Sequence, residues 1–339
     1  MSTPTMDAPA MRAIVQRGYG DPEHVLHMTD VARPEVGPDD VLVRVKGTSV
    51  NTPDWSTITG RPLLLRLTYG LMSPSTAVRG TDVAGVVEAI GAEVTSLKPG
   101  DEVFGSLWDK VKPTASGTFA EFVVAPADQL FPKPATVSFT HAGSSVMSGL
   151  TALAAMRDVG GVGPGTTVLI NGASGGVGSF AVQIAKASGA EVTGVCSSRN
   201  VELVRSLGAD HVIDYTKTKL TAMARGYDVV LDNVMNHSPV EAARMLSPTG
   251  VFIPNSLGHG KWLAGLPRMG RAALMGRGST RVGFVTCVVN QHNLAELSRL
   301  LESGAVRVHV DREFQLADTA AAVTHMLSRR ARGKLAITV

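Results

Sequence analysis

The stretch from Thr167 to Cys196, TVLINGASGGVGSFAVQIAKASGAEVTGVC, decides the fold of this chain. TVLIN and EVTGVC are short runs rich in β-branched residues, which predict buried strands, and Val177–Ser188 between them carries apolar residues at helical spacing. Strand and helix signals continue to alternate through Val201–Leu207 and Pro239–Leu246 to Leu294–Ser303. This alternation predicts an α/β architecture, a parallel sheet with crossover helices.

The turn between the first strand and the helix has the glycine spacing of a dinucleotide-binding site. Its pattern is A-x-G-x-x-G, in which Ala173 replaces the more usual first glycine and Gly175 and Gly178 follow. Gly175 allows the backbone to approach a pyrophosphate, and Gly178 allows the helix to pack close to the strand. The phosphates are expected on the free N–H groups of Gly176, Val177 and Gly178, where the helix dipole favours negative charge. The alternative is a glycine turn that only closes a βα unit.

The end of the second strand indicates which dinucleotide binds. NAD-specific sites carry an acid roughly 20 residues beyond the glycines, where it holds the ribose 2′-hydroxyl. Here the chain reads Cys196, Ser197, Ser198 and Arg199, with no carboxylate to repel a phosphate. Because two hydroxyls and a guanidinium suit a 2′-phosphate, the sequence favours NADPH over NADH. The alternative is that Arg199 is a solvated residue beside Asn200, the N-cap of the next helix.

Composition and charge exclude several classes of function. A net charge of +3 with scattered Lys and Arg argues against nucleic acid as a partner. Two cysteines are too few for a disulfide framework or a structural zinc site, and they indicate a reducing, cytoplasmic environment. No run reaches the roughly 20 apolar residues of a membrane span. Within the basic run at residues 329–334, Arg332 and Lys334 are candidates to meet a phosphate, with a solvated helix end as the alternative.

The region before the alternating elements has a different pattern. From Met11 to Pro134 strand signals dominate, with VLVRV at Val41–Val45, DVAGVVEAIG at Asp82–Gly91 and FAEFVVA at Phe119–Ala125. Turn clusters such as VGPDD and KPGD separate these runs, so a compact β-rich domain is predicted. Farther along the chain, VGFVTCVV at Val282–Val289 predicts one more strand of the α/β region.

Eight motifs, taken in their order and spacing, resemble the medium-chain dehydrogenase/reductase superfamily, in its zinc-independent quinone oxidoreductase-like branch. They cover nearly the whole chain: SVNTPDW (Ser49–Trp55), GTDVAGVVEAIG (Gly80–Gly91), KPGDEVFG (Lys98–Gly105), GTFAEFVV (Gly117–Val124), GLTAL (Gly149–Leu153), NGASGGVG, LGADHVIDY (Leu207–Tyr215) and RGKLAITV. The resemblance implies a GroES-like β-rich domain, residues 1–135 and 309–339, with a Rossmann domain, residues 136–308, inserted before the last strands. It also implies that the closing strand, Lys334–Val339, joins the sheet of the first domain.

The same resemblance assigns residues to NADPH. The implied contacts are Ser174, Gly175, Gly176 and Val177 for the pyrophosphate, Ser197, Ser198, Arg199 and Tyr215 for the 2′-phosphate end, Asn233 for the adenosine side, and Asn255, Ser256, Leu257, Phe284, Val285 and Thr286 for the nicotinamide ribose and ring. The family further implies a homodimer formed near Val282–Val289, because an exposed apolar edge strand needs cover.

The zinc-binding positions of zinc-dependent relatives carry other residues in this chain. Those relatives place a Cys, a His followed by Glu, and a third ligand where this chain has Asn51, Thr81 with Asp82, and the run Ser144–Ser148. None of these supplies the imidazole and thiolates that zinc prefers. His141 is the one nearby candidate, and a lone histidine is more often packed or capping than a ligand. We therefore expect no metal.

Chemistry without a metal favours a conjugated acceptor. Zinc polarises a carbonyl and lowers the pKa of a bound hydroxyl, so reduction of an ordinary aldehyde is harder without it. A hydride delivered to a quinone or to the β-carbon of an enone leaves a delocalised anion that hydrogen-bond donors stabilise. Asn51 is the first candidate to orient a carbonyl or the nicotinamide ribose, Asp54 to relay a proton or cap a turn, and Tyr69 to donate a proton. Trp55 and Leu63–Leu65 are candidates for an apolar substrate wall, with core packing as the alternative.

The sequence leaves three functions open. The leading hypothesis is an NADPH-dependent reductase of quinones or α,β-unsaturated carbonyls, which are small-molecule substrates. A metal-free alcohol or aldehyde dehydrogenase is the second, and a regulatory protein that binds NADPH but turns over little is the third. The basic and apolar stretch Gly258–Arg281 fits an ordinary surface helix best, then a flap over a pocket, then a membrane-surface helix.

Overall fold

The computed structural model describes residues 9–108, 117–218, 226–256 and 265–339. The chain divides into two compact units, of which the first comprises Met1–Met147, Val288–Glu302 and Val310–Val339, and the second comprises Ser148–Cys287 and Ser303–His309. This division assigns residues 136–147 and 288–302 to the first unit, whereas the family resemblance predicts that they belong to the Rossmann domain. No helix within the described ranges is long and apolar enough to cross a membrane.

The described residues form fifteen strands and eleven α-helices. The strands are β1 (Ala10–Gln16), β2 (Leu26–Ala32), β3 (Asp40–Ser49), β4 (Asp82–Ile90), β5 (Glu102–Ser106), β6 (Phe122–Pro126), β7 (Leu130–Pro132), β8 (Thr167–Asn171), β9 (Glu191–Cys196), β10 (His211–Asp214), β11 (Tyr227–Asp232), β12 (Leu246–Pro254), β13 (Arg281–Val282), β14 (Val310–Gln315) and β15 (Lys334–Thr338). The helices are α1 (Pro22–Val25), α2 (Thr52–Thr59), α3 (Arg66–Tyr69), α4 (Phe139–Ala142), α5 (Val146–Leu153), α6 (Gly176–Ala187), α7 (Val201–Ser206), α8 (Pro239–Ala243), α9 (Leu266–Met275), α10 (Gln291–Glu302) and α11 (Thr319–Leu327).

The second unit is built on a six-stranded parallel sheet in the order β10-β9-β8-β11-β12-β13. The chain enters at the centre with β8, winds outward to β10 and then returns to wind outward on the other side, which is the order of a Rossmann fold. Val168, Leu169 and Ile170 of the central strand are all buried, as expected for a strand covered on both faces. The predicted doubly wound parallel sheet is therefore confirmed. The elements β8, α6 and β9 lie where the sequence from Thr167 to Cys196 predicts a strand, a helix and a strand.

The first unit contains a seven-stranded sheet in the order β14-β15-β3-β4-β5-β7, with β6 also paired to β3. The pairs are antiparallel except for β14 with β15. Valines that alternate along β3, Val41, Val43 and Val45, pack with Val83 and Val87 of β4 in the core of this unit. The closing strand β15 pairs with β3, so its expected return to the sheet of the first domain is confirmed.

The strand predicted over Val282–Val289 is wrong beyond its first residue. The ladder with β12 pairs Val251 with Arg281 and Phe252 with Val282, and β13 then ends. Continuing the register would place Phe284 opposite Pro254, which has no N–H to donate and is the last residue of β12. The alternation of apolar side chains after Val282 therefore occurs in extended chain outside the sheet.

Candidate functional site

The glycine-rich turn after β8 combines tight packing with open space. Gly172 has a φ of +78°, in the left-handed region. A Cβ atom on Gly178 would lie 2.1 Å from the carbonyl oxygen of Gly172, so any side chain there would push α6 away from the strand. A Cβ atom on Gly175 would meet only that same oxygen, at 3.4 Å, which leaves room above the turn. A phosphate-binding turn requires both properties.

The first turn of α6 presents three backbone N–H groups for which the described chain offers no carbonyl acceptor. They belong to Gly176, Val177 and Gly178, whereas the N–H of Ser179 donates to the carbonyl oxygen of Gly175 at 2.9 Å. Free N–H groups at the positive end of a helix dipole bind anions. The residues predicted for the pyrophosphate therefore fit that group.

A buried asparagine holds this turn from the other side. Asn200 Nδ2 donates to Ser174 Oγ at 2.9 Å, and both side chains are buried. The expectation that Asn200 is the N-cap residue of the next helix is confirmed, although its side chain makes no capping bond to α7. Since Ser174 Oγ accepts the bond, the serine hydroxyl hydrogen can point toward a phosphate. Asn200 is a supporting residue of the glycine-rich turn that the sequence did not predict.

A carboxylate lies among the residues predicted to bind the 2′-phosphate. Ser198 Oγ donates to Asp214 Oδ2 at 2.5 Å, and Thr216 Oγ1 donates to Asp214 Oδ1 at 2.7 Å. The bond from Ser198 has the largest effect on the pKa of Asp214, and together the two bonds hold this pKa below its usual value. The carboxylate is therefore charged at neutral pH. Asp214 ends β10 and comes beside the end of β9 only because the two strands pair. The expectation that no carboxylate lies near Ser198 is therefore wrong.

The other residues predicted for the 2′-phosphate end lie at or near the surface. Ser197 is half-buried and precedes a short 3-10 turn, Ser198–Asn200, that contains the exposed Arg199. Tyr215 follows β10, and 53% of its surface is exposed. The segments after the paired strands β9 and β10 thus carry a guanidinium, a phenol and two serine hydroxyls, and one of these hydroxyls, that of Ser198, contacts the Asp214 carboxylate.

Asparagine side chains join the carboxyl ends of β8, β11 and β12. Asn171 Nδ2 donates to Asp232 Oδ1 at 2.7 Å. Asn255 Nδ2 donates to Asn233 Oδ1 at 2.7 Å, and Asn233 Nδ2 donates to the carbonyl oxygen of Asn171 at 3.2 Å. In doubly wound folds ligands bind at this edge of the sheet. Asn233 and Asn255 are residues predicted for NADPH, whereas Asn171 and Asp232 are supporting residues that the sequence analysis missed.

Five further predicted cofactor residues follow β12 and β13 in the sequence. Ser256 directly follows Asn255, and Leu257 lies outside the described residues. Phe284, Val285 and Thr286 are in the extended chain after β13, and the Phe284 side chain is 44% exposed. Their contacts with a nicotinamide ring stay a prediction.

The strand register of the first unit places Asn51 opposite Lys334. In the antiparallel pair of β15 with β3, Ala336 is the partner of Ser49. The same register places Lys334, the first residue of β15, opposite Asn51, which lies two residues beyond the end of β3. Lys334 Nζ donates to Asn51 Oδ1 at 2.5 Å. Lys334 is 3% exposed, so it is a buried residue of the first unit and not part of a solvated basic cluster. Arg332 donates its backbone N–H to Asp311 Oδ2 at 3.1 Å.

Asn51 is also the N-cap residue of α2, and hydrogen bonds within the protein fix both its backbone and its side chain. Its backbone N–H donates to Asp54 Oδ2 at 2.7 Å, as half of a capping box. Its side-chain Nδ2 donates to Thr81 Oγ1 at 3.2 Å and to Ser49 Oγ at 3.5 Å. Both N–H groups of the amide and its oxygen are therefore engaged within the protein. The turn-capping role considered for Asp54 is present.

Asp54, Asp82 and Lys334 form a buried group of charges whose pKa values depend on one another. Burial, with a smaller effect of the Asp82 charge, raises the pKa of Asp54 to about 7. Burial also raises the pKa of Asp82, and the Lys334 charge opposes part of that rise. Burial lowers the pKa of Lys334, while the two carboxylates favour its charged form. Asp54 is thus a carboxyl that can hold or release a proton near neutral pH.

Tyr69 is half-buried at the end of α3 and lies in the field of Asp54. Burial raises its pKa, whereas the positive charge of Arg79 and a hydrogen bond with Thr57 oppose part of the rise.

The residues predicted to form an apolar substrate wall lie in two different environments. Trp55 packs against the buried core of the first unit. Leu63–Leu65 form a 3-10 turn whose middle side chain, Leu64, is 50% exposed.

The positions that bind zinc in zinc-dependent relatives are close together in the first unit. Asn51 is bonded to Thr81, and both carboxylate oxygens of Asp82 accept the Met147 N–H at 3.1 Å. His141 lies in α4, where its Nδ1 forms a 2.7 Å hydrogen bond with the Ser138 hydroxyl. Among the described residues, no group of three or more His, Cys, Asp or Glu is arranged to hold a metal ion.

Known proteins resemble this chain over its whole length. Two family models match it: the alcohol dehydrogenase GroES-like domain over residues 37–135 and the zinc-binding dehydrogenase over residues 207–337. The mitochondrial NAD(P)H oxidoreductase RTN4IP1 of Mus musculus is 32% identical over 370 residues, covering 100% of this chain and 92% of the relative. The chloroplastic quinone-oxidoreductase QR1 of Triphysaria versicolor is 33% identical over 343 residues, covering 96% and 98%. The solved structure of the quinone oxidoreductase from Coxiella burnetii has a TM-score of 0.85 at 29% identity and covers 98% of this chain and 100% of its own.

Proposed function

Because this chain belongs to the medium-chain dehydrogenase/reductase superfamily, in its quinone oxidoreductase-like branch, we propose that it is an NADPH-dependent reductase of quinones or α,β-unsaturated carbonyls. As a member of this branch it is an NAD(P)H oxidoreductase. The choice of NADPH, the conjugated acceptor and the absence of a zinc requirement are the parts that we add. The single observation that carries the proposal is the turn at Gly172–Gly178, which is shaped for a pyrophosphate.

Each unit has a separate task in this proposal. When NADPH is bound, its nicotinamide supplies a hydride to the acceptor. The second unit holds the pyrophosphate on the N–H groups of Gly176 and Val177 and directs Arg199 to the 2′-phosphate. The first unit provides the polar groups around Asn51 and Asp54 that act on the acceptor. One hydride and one proton convert a quinone into a hydroquinone, or saturate the double bond of an enone.

The proton has two candidate sources in the first unit. Asp54 holds a proton near neutrality because burial raises its pKa to about 7. Tyr69 is less buried and has the higher pKa of the two, so it is the group from which a proton can reach a substrate more directly. We propose that Tyr69 donates and that Asp54 stores the proton and holds α2.

A conjugated acceptor fits a site whose residues do not suit zinc. Asn51, Thr81 and Asp82 offer amide, hydroxyl and carboxylate groups in place of the nitrogen and sulfur ligands that zinc prefers. Reduction of a quinone or enone places negative charge on an oxygen that hydrogen bonds can stabilise without a metal. We therefore expect activity to be independent of added or removed divalent metal.

The test is a panel of acceptors in metal-free buffer, with and without chelator. The proposal predicts saturable oxidation of NADPH by small quinones or enones, slower oxidation of NADH, and no effect of the chelator. Oxidation of simple alcohols by NADP that is lost on chelation would overturn both the acceptor and the zinc-free proposal. Tight NADPH binding with no acceptor-dependent oxidation across the panel would support a binding protein of low turnover.

The Arg199→Ala variant tests the choice of cofactor. Removal of the guanidinium is expected to raise the KM for NADPH about tenfold while the KM for NADH stays within about twofold, because only NADPH carries the 2′-phosphate. Arg205→Ala is the matched control, because Arg205 is an exposed arginine of the same unit that pairs with Glu202. Equal effects of Arg199→Ala on both cofactors would contradict the assignment.

Assembly and location complete the proposal. Phe284 and Val288 are 44% and 39% exposed, in extended chain beside the short strand β13, and cover by a second copy would remove this apolar surface from water. We therefore propose a homodimer, which light scattering of the purified chain tests. We also propose a cytoplasmic location, which cell fractionation tests.

A further inference from the structure

The hydroxyl of Thr81 is the accessible end of a hydrogen-bond chain that begins at a buried cation. Lys334 Nζ donates to Asn51 Oδ1 at 2.5 Å, and Asn51 Nδ2 donates to Thr81 Oγ1 at 3.2 Å. Lys334 and Asn51 are 3% and 2% exposed, whereas Thr81 is partly exposed. The chain therefore leads from the interior of the first unit to a hydroxyl that a ligand can reach.

The direction of every bond in this chain is fixed by Lys334. An ammonium has no lone pair and can only donate, so the oxygen of the Asn51 amide must face it. The amide nitrogen must then face Thr81, whose oxygen accepts. The hydrogen of the Thr81 hydroxyl points elsewhere, and no acceptor for it is found within residues 9–108 or the other described ranges. Thr81 is thus a donor with its hydrogen available.

The surrounding carboxylates do not interrupt the chain. Asp82 accepts the Met147 N–H at 3.1 Å and the Ser49 hydroxyl at 3.4 Å. Asp54 accepts the backbone N–H of Asn51. The charges of both carboxylates favour the charged form of Lys334. A hydrogen bond from the Asn51 side chain also favours the charged form of Asp82, and the Asn51 amide keeps its 3.2 Å bond to Thr81 Oγ1 beside it.

We propose that Thr81 donates a hydrogen bond to the carbonyl oxygen of the acceptor, and that Asn51 and Lys334 are positioning residues that aim and strengthen this donor. The inference rests on the proposed function, because it assigns a residue to the acceptor of that reaction. Donors in a chain polarise one another, and a charged first donor adds to the effect. Thr81 therefore becomes a stronger donor than an isolated hydroxyl.

The proposed role follows the movement of charge in the reaction. In an enone, the hydride forms a new C–H bond at the β-carbon, the electron pair of the broken carbon–carbon π bond forms a new double bond to the carbonyl carbon, and the π pair of the carbonyl moves to its oxygen. The Thr81 hydrogen bond stabilises the negative charge there, and a proton from Tyr69 or solvent completes the reduction. A positive charge thus acts at a position where zinc-dependent relatives carry a metal ligand, but through two hydrogen bonds instead of a metal.

Thr81→Val and Thr81→Ser separate the hydroxyl from the shape of the side chain. Loss of the hydroxyl in Thr81→Val is expected to lower kcat for an enone about 100-fold, as for removal of one preorganised donor. Thr81→Ser is expected to retain kcat within about fivefold, since it keeps the donor. The dissociation constant for NADPH and the melting temperature should be unchanged in both. Thr29→Val, which removes a threonine hydroxyl from β2, should leave kcat unchanged.

A spectroscopic measurement adds a readout that does not depend on turnover. The carbonyl carbon of a 13C-labelled enone bound with NADP is expected to shift downfield in the unaltered protein and in Thr81→Ser, and less in Thr81→Val. Asn51→Asp tests the positioning role, because a carboxylate still accepts from Lys334 but would accept from Thr81 and withdraw its hydrogen from the substrate. Its kcat should fall about as far as that of Thr81→Val, and combining both substitutions should add little.

The outcomes distinguish this inference from the proposed function. If the unaltered protein reduces no conjugated acceptor, the proposed function fails and Thr81 has no acceptor to bind. If it reduces enones and Thr81→Val does so equally well, with an unchanged carbonyl shift, the assignment of Thr81 is wrong while the proposed function stands. If Thr81→Ser is as slow as Thr81→Val although both fold and bind NADPH, the hydroxyl is not the group that matters.

Discussion

The hydroxyl of Ser198 lies 2.5 Å from the carboxylate of Asp214, at the ends of two neighbouring parallel strands. A charged carboxylate here disfavours a second negative group, whereas the nearby Arg199 favours one. Preference between NADPH and NADH therefore depends on the balance of these two charges. This balance can be shifted by changing one residue.

Asp214→Asn should increase the preference for NADPH. Removing the carboxylate is expected to lower the KM for NADPH about two- to fivefold, as for one exposed charge pair, and to change the KM for NADH less than about 1.5-fold. Steady-state kinetics with both cofactors measure the effect. Glu202→Gln, which removes an exposed negative charge from α7, is the control. An equal change for both cofactors would show that Asp214 does not act on the 2′-phosphate.

Alanine at two glycines of the phosphate turn should give opposite phenotypes. Gly178→Ala places a methyl group 2.1 Å from the backbone oxygen of Gly172, so α6 must shift away from the turn to relieve the clash. We therefore expect this substitution to lower the free energy of unfolding by about 1–3 kcal/mol. Gly175→Ala meets only an ordinary contact at 3.4 Å, so the free energy of unfolding should change by less than about 1 kcal/mol. Its methyl group occupies the space for the pyrophosphate, however, and NADPH affinity should fall at least about tenfold. Urea unfolding and fluorescence titration separate the two effects.

Asp54 should make the protein less stable as pH rises toward neutrality. In the folded protein the Asp54 carboxyl keeps its proton up to about pH 7, whereas in the unfolded chain it releases the proton near its ordinary value of 3.8. Between these values the folded state binds more protons, so its contribution to stability falls as pH increases. Asp54→Asn retains an oxygen for the Asn51 N–H and cannot ionise. The stability advantage of Asp54→Asn over the unaltered protein should therefore grow as pH rises from 3.8 to about 7 and then level off. A stability difference that stays constant over this pH range would refute the raised pKa.

Lys334 should be essential to the stability of the buried charges. Lys334→Met removes the positive charge that favours the buried Asp82 carboxylate, and leaving a buried charge uncompensated costs about 3–5 kcal/mol. Adding Asp82→Asn removes the uncompensated charge and should restore part of the loss, because the amide oxygen can still accept the Met147 N–H. Denaturant unfolding of both variants provides the measurement. A double variant no more stable than Lys334→Met alone would show that the two charges are not coupled.

Patterns within one continuous stretch predicted much of the second unit. The strand, glycine turn, helix and strand from Thr167 to Cys196 have local signals, and their hydrogen bonds are also local or between consecutive elements. The extent of the strand after Arg281 could not be predicted in this way. It depends on Pro254, a residue of another strand that faces the end of the ladder.

Features that depend on pairing between distant strands could not be read from spacing. Asp214 reaches Ser198 through the register of β10 with β9, and Lys334 reaches Asn51 through the register of β15 with β3. Both residues lie well outside the motifs that contain their partners. The basic sequence around Lys334 indicates solvent exposure, and only the paired strand shows that its ammonium is buried. A correct prediction of the register between β15 and β3 would have found this contact, because the pairing of Ala336 with Ser49 places Lys334 opposite Asn51.

The hydrogen bond between Lys334 and Asn51 joins residues 283 positions apart in the chain. Loop-closure entropy opposes so distant a contact, and contacts of this kind form late in folding. The glycine turn and its partner Asn200, in contrast, lie within about one crossover unit of each other. A refolding chain should therefore regain its affinity for NADPH before it regains its turnover. Binding then reports the maturation of the second unit, and catalysis reports the moment at which the discontinuous first unit is complete.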